Sequence, residues 1–166
     1  MKIRGASDSD YNAVMRLYMQ FNEDRVKTGT GEAGYRYLEA GAPWSELLAD
    51  EDCMTFVAEE KGVVVGFVTL RADAFNPFKK VGRMGEIDLI VVDERVRRKG
   101  VGRRLVEHSL KHLHGRGFTH VLLNVRVDNP ATSFWSKMGF RKVSKTGFDR
   151  SDGAKETIVY MVRSVS

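Results

Sequence analysis

The chain has 166 residues, of which 42% are hydrophobic and 30% are charged. A chain of this length buries a sufficient core without a metal or a disulfide, and the composition excludes disordered, fibrous and coiled-coil proteins. We therefore expect one globular domain spanning residues 1–166.

The sequence predicts a cytoplasmic protein. The longest apolar stretches, such as residues 89–92, are far shorter than the ~20 residues of a membrane helix. The first residues lack the apolar segment of a secretory signal. Cys53 is the only cysteine, which excludes an internal disulfide and a cysteine-based metal cluster.

The net charge of +5 is unevenly distributed. Residues 1–60 contain six basic and twelve acidic side chains, whereas residues 61–166 contain 21 basic and ten acidic ones. This asymmetry indicates either an anionic partner for the basic part, such as nucleic acid or a phosphorylated cofactor, or an uneven solvated surface.

Helical periodicity dominates the first part of the chain. A helix is predicted over about residues 8–21, where Ser7 and Asp10 resemble a capping pair. A second helical stretch is predicted from about 35 to 49, with interruptions near Gly41 and Pro43.

Strand patterns begin near residue 54. Residues 55–59 and 63–71 predict a hairpin around a turn at 60–62, followed by a basic loop over 73–84 and a buried strand over 86–92. A helix over 100–114 and a strand over 120–127 come next. A short helix over 130–138 ends at Gly139, before strands from 140 and near 157–162. This order predicts a mixed α/β domain with one layered sheet, in which the strand–helix–strand unit makes two strands parallel through a right-handed crossover.

The segment from Ile87 to Leu105 predicts an anion site. A buried strand enters a turn containing Gly100 and Gly102, which opens directly into a helix whose first amides have no helical partner. The helix dipole and the surrounding basic side chains suit a pyrophosphate, although a flexible turn with solvated charges is the alternative. No Gly-Lys-Ser/Thr follows, and Leu105 occupies the third-glycine position of a dinucleotide fingerprint, so both of those motifs are excluded. The basic side chains are Arg97, Arg98, Lys99, Arg103 and Arg104.

Two motifs resemble those of the GNAT superfamily of N-acetyltransferases. Residues 97–102, RRKGVG, match its Arg/Gln-x-x-Gly-x-Gly signature, and residues 128–140, DNPATSFWSKMGF, resemble its second motif. The order of elements along essentially the whole chain is also similar. The resemblance implies a single-layer, mostly antiparallel sheet with a central parallel strand pair and helices on both faces. It also implies acetyl-CoA as cosubstrate.

The resemblance assigns cofactor contacts residue by residue. Backbone groups of Ile90, Val91 and Val92 correspond to the pantetheine-binding strand end, and Arg97 occupies the Arg/Gln position. Asn129 resembles the asparagine that contacts the cofactor, but it lies one place later than in the commonest spacing. It is equally suited to capping the helix that starts at Pro130. The pyrophosphate is assigned to the turn formed by Arg98, Lys99, Gly100, Val101, Gly102 and Arg103.

Acetyl transfer to an amine requires a base, because an alkyl ammonium has a pKa of about 10.4. Glu86 matches the position of the general base in histone acetyltransferases of the family, and alternation places it on one strand face with Asp88, Ile90 and Val92. We predict Glu86 as the base and Asp88 as its reserve. The alternative is a structural ion pair with an arginine such as Arg83.

Trp135 departs from the family pattern. Many members carry a tyrosine there that is thought to protonate the departing thiolate, which an indole cannot do. Helical spacing with Ala131, Phe134 and Met138 predicts packing for Trp135, so we assign no general acid.

Other features are open to two interpretations. His108 and His112 have a metal-like spacing without a third ligand, so we expect no metal. Aromatic and acidic residues in the second helical stretch either line an acceptor pocket for a cationic amine or form an ordinary helix face. These residues are Glu32, Tyr35, Tyr37, Glu39, Trp44 and Glu46.

The leading hypothesis is an N-acetyltransferase that transfers acetyl from acetyl-CoA directly to a primary amine, on a small molecule or on a protein lysine or N-terminus. The alternatives are a non-catalytic acyl-CoA sensor and a nucleic-acid-binding module. No nucleic-acid recognition motif is present, so we expect no nucleic acid as a partner. The short apolar stretches likewise give no reason to expect a membrane partner. Many relatives form homodimers, and the sequence leaves the oligomeric state open.

Overall fold

The computed structural model describes residues 1–27, 52–72, 82–149, 153 and 155–165. The predicted helix over 35–49 and most of the loop over 73–84 lie outside these residues, as do Glu32, Tyr35, Tyr37, Glu39, Trp44 and Glu46. The strands are β1 (Lys2–Gly5), β2 (Cys53–Glu60), β3 (Val63–Arg71), β4 (Met84–Val92), β5 (His120–Arg126), β6 (Arg141–Asp149) and β7 (Lys155–Ser164). The α-helices are α1 (Tyr11–Lys27), α2 (Val101–Gly115) and α3 (Ala131–Lys137), and short 3₁₀ turns span Asp8–Asp10 and Glu94–Val96.

Seven strands form one mixed sheet in the order β1-β2-β3-β4-β5-β7-β6. The pairs β1–β2, β2–β3, β5–β7 and β6–β7 are antiparallel, whereas β4 and β5 are parallel. The predicted strand–helix–strand unit is therefore confirmed as β4–α2–β5. Strand β1 was not predicted, because four residues are too few to show an alternating pattern.

The hairpin between β2 and β3 is confirmed, with its turn at the predicted place. Lys61 and Gly62 have φ angles of 52° and 79°. Two consecutive positive φ angles produce the turn twist that suits a two-residue hairpin. A register shift between Ala58 and Glu59 interrupts the pairing near the turn.

The described residues belong to two compact units, and the first comprises Met1–Ala72 and Leu89–Ser109. Helix α1 begins after the capping pair, in which the Ser7 amide donates to Asp10 Oδ2 at 2.8 Å. It extends six residues beyond the predicted end and buries Val14 and Leu17 against a core that includes Val57 and Phe67.

Helices cover both sheet faces in this unit. Val57 and Phe67 belong to the core cluster that includes α1. Their strand neighbours face the other way. Phe56 contacts His108 of α2 at a ring-centroid distance of 4.6 Å, and a side chain at Gly66 would meet Leu105 and Val101 of α2 at 3.3 and 3.4 Å.

The second unit comprises Asp73–Asp88 and Leu110–Ser166. Its strand order follows β4, β5, β7 and β6, and the parallel register pairs Met84–Glu86 with His120–Leu122. Helix α3 ends at Lys137, and the predicted stop at Gly139 follows two residues later, with a φ of 83° that glycine readily adopts. Within the described residues, no helix combines the length and the apolar character needed to cross a membrane.

Candidate active site

The end of β4 alternates in accessibility as predicted. Glu86, Asp88, Ile90 and Val92 are half-buried, whereas the residues between them are buried. A Cβ at Gly66 of β3 would lie 2.9 Å from the Val91 carbonyl oxygen. Glycine at position 66 therefore permits the close approach of the two backbones where β4 ends.

Asp93, directly after β4, anchors the turn that leads to α2. Its side chain is only 2% exposed and accepts hydrogen bonds from the Arg95 amide at 3.1 Å and from the Arg95 guanidinium at 2.9 and 2.6 Å. Arg16 of α1 donates to the same carboxylate at 3.1 Å. The Arg95 hydrogen bonds hold the pKa of Asp93 well below its usual range. Sequence reasoning missed this residue, because a single aspartate between a strand and a basic turn carries no distinctive pattern.

The turn itself has the backbone geometry of an anion site. Arg98 and Gly100 have φ angles of 62° and 84°. Helix α2 begins at Val101, and Arg104 N–H donates to the Gly100 carbonyl at 3.1 Å in the first helical bond. The amides of Val101, Gly102 and Arg103 therefore precede the first helical bond, at the positive end of the helix dipole.

The side chains of this turn divide into two groups. Arg98 and Lys99 are exposed, whereas Val101 is 4% exposed and contributes to the turn through its backbone. Arg103 donates to Glu107 at 2.8 Å, and Arg104 donates to the Met1 carbonyl at 3.1 Å. The side chains of Arg103 and Arg104 are therefore held by partners within the protein.

Arg97 connects two elements. Its Nε donates to the Val92 carbonyl at 3.1 Å, and its Nη2 donates to Asp24 of α1 at 2.8 Å. The sequence placed Arg97 with the cofactor-binding residues, and the structure places its guanidinium between the end of β4 and α1.

In the second unit, Glu86 faces away from the packed side of β4. A Cβ at Gly85, the preceding residue, would lie 3.0 Å from Leu113 of α2, and successive strand residues point to opposite faces. Asn124 of β5 donates to Glu86 Oε1 at 3.3 Å. Because β4 and β5 are parallel and Glu86 is in register with Leu122, this bond reaches two residues forward along the strands.

The contacts of Arg83, considered above as a structural partner for Glu86, include a backbone carbonyl and an aromatic ring. Its guanidinium donates to the Arg116 carbonyl at 3.0 Å and lies 4.2 Å from the centre of the Phe118 ring. Asp88, the reserve base, is half-buried on β4.

The second motif forms α3 and its cap. Helix α3 begins one residue later than predicted, so Pro130 and not Asn129 occupies the N-cap position. The Asn129 side chain still satisfies the first helical amide, because its Oδ1 accepts from the Ala131 amide at 2.8 Å. Trp135 is 6% exposed and packs edge-on against Phe134 and Phe140, with centroid distances of 5.0 and 5.4 Å. The predicted packing role of Trp135 is confirmed.

Within the part of the chain that the structure describes, no group of three or more His, Cys, Asp and Glu side chains is arranged to hold a metal ion. His108 of the predicted histidine pair instead packs against Phe56.

The turn fits the pyrophosphate of acetyl-CoA. Three amides precede the first hydrogen bond of a 15-residue helix, and Arg98 and Lys99 add positive charge beside them. A Cβ at Gly100 would meet no described atom within 4 Å, so none of the described residues blocks the backbone there.

Comparisons with known proteins agree with this geometry. The acetyltransferase (GNAT) family model matches residues 12–140. An N-alpha-acetyltransferase of Sulfurisphaera tokodaii is 33% identical over 114 residues, which are 65% of this chain and 68% of the relative. A mycothiol acetyltransferase of Amycolatopsis mediterranei is 36% identical over 95 residues, 56% of this chain and 31% of the relative, so the chain spans about a third of that protein.

A solved structure supports the fold. The ribosomal-protein-alanine N-acetyltransferase of Brucella melitensis has a TM-score of 0.76 at 22% identity, with 99% of each chain covered. The mixed sheet with its parallel pair and its helices on both faces is the expected one. This chain therefore belongs to the GNAT family of acetyltransferases.

Proposed function

We propose that this protein is an N-acetyltransferase that uses acetyl-CoA to acetylate a primary amine. The observation that carries the proposal is the turn from Arg98 to Arg103, where two positive φ angles and the unpaired start of α2 form a pyrophosphate cradle at the end of β4. Acetyl-CoA, when bound, supplies an activated acetyl group and a thiolate leaving group.

The cofactor-binding residues act mainly through their backbone. The amides from Arg98 to Arg103 bind the pyrophosphate, and backbone groups of Ile90, Val91 and Val92 bind the pantetheine arm. Backbone recognition at the strand end is consistent with the apolar side chains found there. Asn129 contributes to cofactor binding in this proposal while its side chain accepts from the first amide of α3.

Glu86 is the proposed general base. It is half-buried on β4, and its carboxylate accepts a hydrogen bond from Asn124, which holds it toward the carboxyl end of the strand. The carboxylate removes a proton from the acceptor ammonium, directly or through a water molecule, because only the neutral amine attacks a carbonyl carbon. Asp88 is the reserve.

A primary amine is the acceptor class that the family supports. The relative in Sulfurisphaera tokodaii is an N-alpha-acetyltransferase, and the match includes 68% of its length. Peptides with a free N-terminal amine are therefore the first acceptors to assay, followed by lysine peptides and small amines.

We also propose that residues 1–166 form one domain, since β4 and α2 each contribute residues to both compact units. A cytoplasmic location and the formation of a homodimer are two further proposals. Fractionation of the cells that express the protein and light scattering of the purified chain test them.

Thermal unfolding tests cofactor binding. Acetyl-CoA at 100 times its dissociation constant should stabilise the protein by ~2.7 kcal/mol, which raises the unfolding temperature by roughly 5–10 °C for a chain of this size. ATP and NAD should have smaller effects, because they lack the pantetheine arm. Equal shifts with every polyphosphate would reduce the turn to a generic anion site and refute the proposal.

Thiol release from acetyl-CoA in the presence of amines tests catalysis. Release that depends on both the amine and Glu86 is expected. Cofactor binding without turnover on any amine would instead favour an acyl-CoA sensor, for which the buried Trp135 is the supporting observation.

A further inference from the structure

The peptide group between Val92 and Asp93 is held at both ends. Its carbonyl accepts from Arg97 Nε at 3.1 Å, and its amide donates to the Val65 carbonyl at 2.9 Å. This peptide group closes the strand segment to which pantetheine recognition is assigned, so its orientation sets the direction of the last backbone groups of β4.

Arg97 is itself oriented by α1. Asp24 accepts from Arg97 Nη2 at 2.8 Å, while Nε of the same guanidinium faces the Val92 carbonyl. A guanidinium is planar and rigid, so a partner on one nitrogen directs the others. The Asp24 side chain is 34% exposed and that of Arg97 is 45% exposed. A pair this exposed contributes little to global stability.

We propose that Asp24 and Arg97 are positioning residues, which hold the Val92 carbonyl so that the end of β4 binds the pantetheine arm of acetyl-CoA. The Arg97 guanidinium acts on the strand end and not on the pyrophosphate. This inference rests on the proposed use of acetyl-CoA, and it adds Asp24, a residue of α1, to the cofactor site.

Two ligands separate the possible roles of Arg97. Acetyl-CoA carries both the pyrophosphate and the pantetheine arm, whereas 3′-phosphoadenosine 5′-diphosphate carries the pyrophosphate alone. If Arg97 positions the strand end, Arg97→Ala raises the dissociation constant of acetyl-CoA roughly three- to tenfold. The dissociation constant of the nucleotide then stays within about twofold of its wild-type value. If Arg97 binds phosphate, both ligands weaken equally.

Asp24 provides the second test. Asp24→Ala should weaken acetyl-CoA binding by about the same factor as Arg97→Ala, and the double variant should be no weaker than either single variant. A phosphate-binding Arg97 predicts the opposite, because removal of a competing carboxylate would release the guanidinium and strengthen binding of both ligands.

Variants of the same chain complete the experiment. Glu23→Ala removes an exposed carboxylate from the neighbouring position of α1 and changes the net charge by the same amount as Asp24→Ala. Because it leaves the Asp24–Arg97 pair intact, it should leave both dissociation constants unchanged. Arg97→Gln should retain much of the acetyl-CoA affinity, since its amide can donate to the Val92 carbonyl. Lys99→Ala, in the turn, should weaken both ligands.

Isothermal titration calorimetry measures each dissociation constant, and thermal unfolding of each variant verifies that it is folded. Selective, non-additive loss of acetyl-CoA affinity is the expected result. The inference is overturned if Arg97→Ala weakens the binding of both ligands equally, or if Asp24→Ala leaves the affinity for acetyl-CoA unchanged. In either case, binding of acetyl-CoA by the wild-type protein still supports the proposed function. A wild-type protein that binds neither ligand refutes both.

Discussion

Replacement of Asp93 tests whether the turn before α2 is held by one buried carboxylate. Asp93→Ala removes the acceptor for the Arg95 amide, a capping loss of about 1 kcal/mol. It also removes ion pairs to Arg95 and Arg16, whose side chains are 71% and 45% exposed and regain water, so each pair contributes at most about 1 kcal/mol. The free energy of unfolding should therefore fall by about 2 kcal/mol.

For a chain of this size the loss corresponds to an unfolding temperature lower by roughly 4–8 °C. Asp93→Asn is the matched control, because its amide oxygen can still accept from the Arg95 amide. It should lose about half as much stability as Asp93→Ala. Urea and thermal unfolding at pH 7 measure both variants.

The same pair of variants has a defined pH dependence. The folded state holds the pKa of Asp93 well below its usual range, so the ionised carboxylate stabilises the fold above the ordinary aspartate pKa of about 3.9. The advantage of wild type over Asp93→Asn should persist at pH 5 and decline only as the pH falls below about 4. An advantage that is already lost at pH 5, or two variants as stable as wild type, would refute the assigned role of Asp93.

Three further predictions concern single positions. Gly100→Ala places a side chain at a φ of 84°, which costs about 1–2 kcal/mol, and calorimetry should show weaker acetyl-CoA binding. Asp10, whose pKa is lowered to about 2 by its hydrogen bonds to Arg4, stabilises the fold above pH 4; unfolding curves of wild type and Asp10→Asn should converge between pH 4 and pH 2. Glu86→Gln should lower kcat for thiol release by roughly 10²- to 10⁴-fold, and Asn124→Ala should lower it less, as expected if Asn124 only orients the base.

Local patterns predicted most of the fold. The hairpin was visible because its alternating strands flank Lys61-Gly62, and α2 because its apolar face follows a glycine turn. Strand β1 was missed because it is only four residues long and is defined by its pairing with β2. The end of α1 was placed too early, because the residues after Phe21 are mostly polar and carry no apolar periodicity.

The sequence predicted the part of the candidate site that is formed by backbone groups. It did not predict the side-chain pairs whose members lie far apart in the sequence. Glycine spacing and helix polarity identified the turn from Arg98 to Arg103. The Asp24–Arg97 pair spans 73 residues, and the hydrogen bond between Glu86 and Asn124 spans 38. Such pairs depend on how the sheet brings its strands and helices together, which no local pattern encodes.

The packing of Trp135 determines how much assistance the leaving group requires. Its ring is 6% exposed and lies edge-on to Phe134 and Phe140, and an indole N–H has no ionisable proton near neutral pH. A thiol with a pKa of about 8.5 is disfavoured as the thiolate at pH 7 by only about 2 kcal/mol, whereas an alkyl ammonium must lose a proton across more than three pH units. For a lysine side chain or another alkyl amine, the larger barrier therefore lies on the amine side, where Glu86 is the proposed base. A peptide N-terminal amine, with a pKa of about 8, requires less assistance. With an alkyl amine as acceptor, a tryptophan at this position therefore removes only the smaller of the two proton-transfer contributions, and its aromatic side chain packs α3 against Phe140.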